Sequence, residues 1–369
     1  MIAVAAVRSP LSRFMWLVIA GWSAGFFALY VVHGGTSWHY FDQGRLALID
    51  VDDHVVGGLH VYSGLPFLQF GPAAFVAAVG TIPFGPRGLL TAQVAGVLAG
   101  VLIMATTRDL ARRTRPDLSL IEIDRRVLFA ALFFIPAWSH LAVLVTHLDD
   151  VLTLTFGVLG LWAAVARRPV LTGLLLALAV DAKPWALPFA CLLLLLPQRR
   201  SAVLTYAAVV ALAWSPFLLG DSGTLHAMQF TIPNTDFSAL RLLGVHDPRT
   251  PGWDRPAQVA LGTAVSLVAV RRGRWPLVLL ATVVARILLD PGTNRYYAAG
   301  VVVGAMVWDL LGSGRSFPWW TATTCTMLFI ARNLPLPPVT NGIAVIAVFV
   351  AVCLLAGARR SAPSPDTDG

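Results

Sequence analysis

Residues 38–75, WHYFDQGRLALIDVDDHVVGGLHVYSGLPFLQFGPAAF, are the first polar interruption after an apolar N-terminal run. The stretch holds the carboxylates Asp42, Asp50, Asp52 and Asp53 and the histidines His39, His54 and His60. Trp38, His39, Tyr40 and Phe41 are amphipathic aromatics suited to a membrane–water boundary. Phe41, Leu46 and Ile49 are expected to form the apolar face of a short helix lying on the membrane, with Asp42 held near the headgroups. Asp50, Asp52 and Asp53 read as a solvated loop.

Outward from this loop the chain turns apolar. Of 369 residues, 57% are hydrophobic and 12% charged, against about 25% charged in a soluble domain. Apolar runs bounded by arginine, proline or glycine recur, and alternating strand patterns are absent. The composition therefore predicts an all-α, polytopic transmembrane bundle and argues against a β-barrel. Candidate segments fall near 14–33, 68–84, 89–107, 127–145, 151–166, 169–181, 184–196, 201–219, 257–270, 275–290, 297–312, 318–332 and 341–357. Residues 68–84 are broken by Pro72, Pro83 and Gly85 and read as re-entrant or interfacial, leaving about 12 crossings. Residues 1–360 form one membrane domain, with external loops 34–67 and 220–256, and 361–369 (SAPSPDTDG) read as a disordered cytoplasmic tail.

The arginine clusters at 8/13, 108–126, 167/168, 199/200, 271–274, 315 and 359/360 fall on one side if 64–107 makes one net crossing. The positive-inside bias then places both termini in the cytoplasm of a plasma-membrane protein. The net charge of +8 follows from these loops and needs no nucleic-acid partner. The first run, preceded by Arg8 and Arg13, has no cleavage pattern and is expected to remain as an anchor. Cys191, Cys325 and Cys353 lie in apolar segments without metal-ligand spacing.

Most carboxylates gather on the opposite, external side, which points to a site there. Three further clusters stand at that edge. His147-Leu-Asp149-Asp150 sits between two spans, where adjacent carboxylates need pairing, hydration or a cation. Asp181-Ala-Lys183-Pro184 carries a lysine that either pairs with Asp181 or meets a phosphate. Asp290-Pro-Gly-Thr-Asn294-Arg295-Tyr296-Tyr297 offers an arginine fork for a phosphate, with Arg286 one turn earlier extending the basic patch. No Walker loop, dinucleotide fingerprint or nucleophile elbow is present.

These stretches, in this order, resemble the C-type (GT-C) integral-membrane glycosyltransferases, and most nearly the polyprenol-phosphate-mannose-dependent α-mannosyltransferases of actinobacterial envelopes. Asp42 matches the early Asp of that family, Gly58–Tyr62 its Gly-x-x-x-Tyr element, and Phe70-Gly71-Pro72 its aromatic-x-Pro turn, where a second proline is usual. Lys183-Pro184 and Asn294–Tyr297 match later elements. The resemblance implies a sugar, mannose above all, moved from a polyprenyl-phosphate donor to a glycolipid or glycan acceptor at the extracytoplasmic face. It implies Asp42 as general base and Lys183 and Arg295 at the donor phosphate. His147, Asp149, Asp150, Tyr62, Asp181, Asn294 and Tyr296 would bind substrate, and no metal or other cofactor is required. A lipid or solute transporter and a non-catalytic membrane scaffold are the competing classes.

Overall fold

A computed structural model describes residues 10–358. The tail 361–369, Arg8, Arg359 and Arg360 lie outside them. The described chain is helical, and no strand occurs in it beyond one isolated bridge between Pro233 and Arg249. In order the helices are α1 (Pro10–Val31), α2 (Trp38–Ile49), α3 (Val61–Gly64), α4 (Pro72–Val79), α5 (Gly88–Thr114), α6 (Leu120–Ser139), α7 (Leu148–Val165) and α8 (Pro169–Ala182). They continue as α9 (Arg199–Gly220), α10 (Gly223–Ala227), α11 (Ala239–Leu242), α12 (Asp254–Arg271), α13 (Val278–Leu289), α14 (Ala298–Leu311), α15 (Trp319–Cys325) and α16 (Val339–Gly357). Between α8 and α9, Pro184–Leu195 winds as a 3₁₀ helix.

Six helical stretches among the described residues are long and apolar enough to cross a membrane, and Pro169–Ala182, Pro184–Leu195 and Trp275–Leu289 are shorter apolar ones. This is a membrane protein by the length and composition of its helices. Residues 68–84 contain no spanning helix: α4 has eight residues, and the chain then kinks through Ile82–Arg87, with Gly85 in the left-handed region, into α5. Helices α13 and α14 form the inner wall, buried along almost their whole length, whereas α1 and α9 leave most of their apolar surface uncovered. All-round apolarity without burial suits lipid contact.

Helix α2 forms as expected but on a different face. Phe41, Gly44 and Arg45 are buried, while Leu46 and Ile49 are about half exposed. Positions 41, 44/45 and 48 share a stripe at helical spacing, and 46 stands five residues from 41, well round the helix. A side chain at Gly44 would meet the Phe75 ring, at 2.6 Å from an added Cβ. That close approach seats α2 against α4. Beneath it Phe41, Tyr62, Phe70, Phe75 and Phe217 form a second apolar cluster, separate from the main core.

The loop 220–256 is more ordered than its composition implies. It carries α10 and α11, and Asn234 Nδ2 donates to the carbonyls of Val245 and Asp247. The Thr235 amide donates to Pro291 O, tying the loop to the end of α13.

Candidate functional site

The His147 motif is built by the end of one helix and the start of the next. Helix α6 relaxes into a π turn over His140–Val145, and Thr146 then takes a left-handed conformation, φ 55°, uncommon for a non-glycine residue. The reversal starts α7 at Leu148, which puts Asp149 and Asp150 in its first turn. Carboxylates there are favoured by the helix dipole, and Asp149 accepts from the Asp150 amide at 2.8 Å.

Both carboxylates are fully buried, Asp149 at 0% and Asp150 at 3% exposure. Burial of two adjacent charges demands compensation, and three elements provide it. Lys183 stands in extended backbone between α8 and the 3₁₀ segment, the conformation that a following proline favours. Its Nζ lies 2.5 Å from Asp149 and 3.2 Å from Asp150. From α13, Arg286 Nη1 meets Asp150 Oδ1 at 3.1 Å. The Trp185 indole N–H donates to the same oxygen at 3.1 Å. Arg286 is further sandwiched over Trp185 and Tyr297, at 4.8 and 4.2 Å from their ring centres. Its Nε is 3.8 Å from Asp290, one turn on and also buried.

His147 closes the cluster. Its Nδ1 bonds Asp149 and lies 3.3 Å from Asp150. Its Nε2 meets the Tyr296 hydroxyl at 2.9 Å, and the two rings stack at 4.4 Å. With a proton on Nδ1 facing Asp149, Nε2 accepts from Tyr296, an Asp–His–Tyr relay oriented by the carboxylate. Ligand atoms of His147, Asp149 and Asp150 lie within 4.8 Å of one another, a spacing that suits a cation. The Lys183 ammonium already serves as the cation at both carboxylates.

Asp42 lies on α2, which touches this cluster through an aromatic side chain. The preceding residue, Phe41, packs edge-on against His147 at 6.0 Å. Both Arg45 contacts to Asp42 fall on Oδ1, and its side chain is 42% exposed. Arg45 is itself buried and donates to Thr81 at 2.6 Å. Asp42 is thus the carboxylate that a substrate can reach, and Asp149 and Asp150 are the ones it cannot reach without displacing protein.

No protein-family model matches this chain, and no curated protein does.

The remaining expected residues separate into two groups. Asn294 is exposed beside Tyr297, its Nδ2 donating to the Tyr297 hydroxyl at 3.4 Å. The Tyr62 hydroxyl is occupied by Phe70 O at 3.0 Å, and its ring stacks on Trp214, so it braces the Phe70-Gly71-Pro72 turn. Asp181 does not pair with Lys183. It closes α8 beside Tyr62 and Trp214, and the extended backbone at 183 sends the lysine elsewhere. Lys183 and Arg295 share no partner: Lys183 is held by the two carboxylates, and Arg295 lies 4.4 Å over the Phe329 ring. Asp53 accepts from the amides of Val55 and Val56, which hold its carboxyl below the usual range and shape its own loop.

Two members of the cluster were not singled out as site residues from sequence. Trp185 carries no signal beyond its place after Lys183-Pro184. Arg286 does: a lone arginine in VLLATVVARILL requires a buried counter-charge, which Asp290 one turn on and the carboxylates of the motif at 147–150 could supply.

Proposed function

We propose that this chain is a polytopic membrane glycosyltransferase of the GT-C kind. It would transfer a sugar, mannose foremost, from a polyprenyl-phosphate donor to a glycolipid or glycan acceptor. The reading includes about 12 crossings, counting the shorter apolar helices together with α12, α14 and α15, both termini in the cytoplasm and the site at the outer face of the plasma membrane. The observation that carries it is one accessible carboxylate, Asp42, on the helix whose Phe41 packs against His147 of a buried, charge-compensated cluster.

An acceptor hydroxyl must lose its proton as it attacks the anomeric carbon, and an accessible carboxylate suits that task. Asp42 Oδ1 is oriented by Arg45, and Oδ2 is left for the acceptor. The acceptor oxygen forms the new bond to the anomeric carbon, that carbon's bond to the donor phosphate oxygen breaks, and polyprenyl phosphate leaves. The proton passes to Asp42. Asp149 would hold His147 and Tyr296 in position to bind sugar hydroxyls. Carboxylates in the long helices stand within about two turns of a helix end, which favours surface chemistry over a charged path through the bilayer.

The test is incubation of the purified protein with polyprenyl-phosphate sugars, scored by release of polyprenyl phosphate and by sugar on an envelope-lipid acceptor. No release from any of mannosyl, glucosyl and arabinosyl donors rejects the reading.

A further inference from the structure

Arg295 and Arg332 are two basic residues at this end of the bundle that the cluster does not use. Neither joins an ion pair among the described residues. Arg295 lies over Phe329 and Arg332 over Phe237, each at 4.4 Å from the ring centre. Arg332 Nη2 donates to Thr293 O at 3.2 Å, and the Arg295 Nε is buried without a partner. The two side chains line one small recess together with Asn294, and their charges are close enough to repel. Two half-buried guanidinium groups side by side without a carboxylate are poorly compensated.

The recess runs into a groove of about 210 Å³ that shares Arg332 and Asn341 with it. Phe237, Met327, Leu336, Pro337 and Ala344 make the groove apolar. Of its lining, Leu334 and Leu336 are exposed, at 55% and 44%. In a membrane these side chains open the groove to lipid. Its volume is below the ~300–1,000 Å³ of a pocket that encloses a whole small molecule, so it admits a chain entering from the side. A basic head on an apolar, laterally open groove fits one chemistry: a phosphate ester on a long hydrocarbon chain.

We infer that Arg295 and Arg332 bind the phosphate of a single-chain lipid phosphate whose hydrocarbon lies along the Phe237–Leu336 groove. Arginine forks pair with phosphate oxygens bidentately, and the anion removes the repulsion between the two cations. Assigning this lipid as the sugar donor rests on the function proposed above. The site then takes over the phosphate role that the sequence alone distributes between Lys183 and Arg295, because the two carboxylates already compensate Lys183.

The experiment is equilibrium binding of radiolabelled polyprenyl phosphate to the full chain in nanodiscs, with polyprenol, inorganic phosphate and phosphatidylglycerol as competitors. Saturable binding is expected, resisted by polyprenol and phosphatidylglycerol and only weakly displaced by inorganic phosphate. Loss of one charged hydrogen-bonding partner should weaken binding roughly ten- to a hundredfold in Arg332→Ala. Leu336→Trp, which fills the groove and leaves both charges, should weaken it as well. Thermal unfolding of each variant checks the fold, and if Arg332→Ala unfolds, Leu336→Trp decides. Absent binding in the wild type, binding untouched by both variants, or equal competition by phosphatidylglycerol overturns the proposal. Binding with the expected pattern but no sugar transfer leaves the site standing and removes the glycosyltransferase reading. Transfer that survives both variants with unchanged donor affinity does the reverse.

Discussion

Asp42 and Asp149 are both carboxylates, yet their surroundings fit them for opposite work. Asp42 is partly open and meets one arginine; Asp149 is closed in by Lys183 and His147. General-base removal costs on the order of 10²–10⁴ in rate. Asp42→Asn is therefore expected to fold normally, bind donor and lose transfer by that factor, measured as turnover of saturating donor. Near-normal turnover would pass the role to another group. For Lys183→Ala the expected damage is to the fold. Removing the ammonium leaves two buried carboxylates under-compensated, a change that costs about 3–5 kcal/mol when a buried pair is broken. Denaturation of the variant in detergent reads this directly, and wild-type stability with lost donor binding would restore Lys183 to the phosphate site.

Among the elements, α4 and α8 meet in a close junction. The Gly71 amide donates to Ala182 O at 2.9 Å, and an added Cβ would stand 2.1 Å from Asp181 O. Glycine is required there by the approach of two backbones, which explains why a second proline is absent from this turn. Gly71→Ala should destabilise by about 1–3 kcal/mol through overpacking and lower activity with it; an unchanged unfolding temperature would contradict the packing described. A second junction ties the first loop to α9. Ser63 donates to Asp221, which also accepts from the Gly223 amide at 2.8 Å and faces His60 Nδ1 at 3.2 Å. The Ser63 hydrogen bond, with those of Gly223 and His60, holds the Asp221 carboxyl below its ordinary range. A depressed carboxyl stabilises the fold above its unfolded value of about 4 and loses that contribution as pH falls through the folded one. Asp221→Asn should flatten the acid limb of the stability curve, and a superimposable limb would show the clamp to be idle.

For the whole molecule the decisive measurement is sidedness. In a cysteine-free background, Asp117→Cys should react with an impermeant maleimide only after the membrane is opened, and Asp236→Cys should react in intact cells. Both side chains are well exposed, 57% and 73%, so access follows topology. The opposite pattern inverts the orientation. The helices themselves were legible, because runs such as 127–145 and 341–357 can bury or lipidate nothing but apolar faces. The pairing of Lys183 was not. Its nearest carboxylate in sequence is Asp181, and only the bundle brings Asp149 and Asp150, over thirty residues away, to its ammonium. The face of α2 was also hidden: Leu46 and Ile49 are more apolar than Gly44 and Arg45, but the small residue admits Phe75 and the arginine reaches Thr81. Arg332 was hidden for a related reason, since its partner Arg295 is a like charge and leaves no complementary signal.

The tightly wound segment Pro184–Leu195 changes how far this chain reaches for its length. Twelve residues advance ~24 Å at the 3₁₀ rise, against ~18 Å as an α-helix. The hydrocarbon interior is about 30 Å thick, so a stretch that a hydropathy ruler rejects as too short spans most of it. Counting residues undervalues this segment, and the yardstick for its wall of the bundle is ångströms per turn.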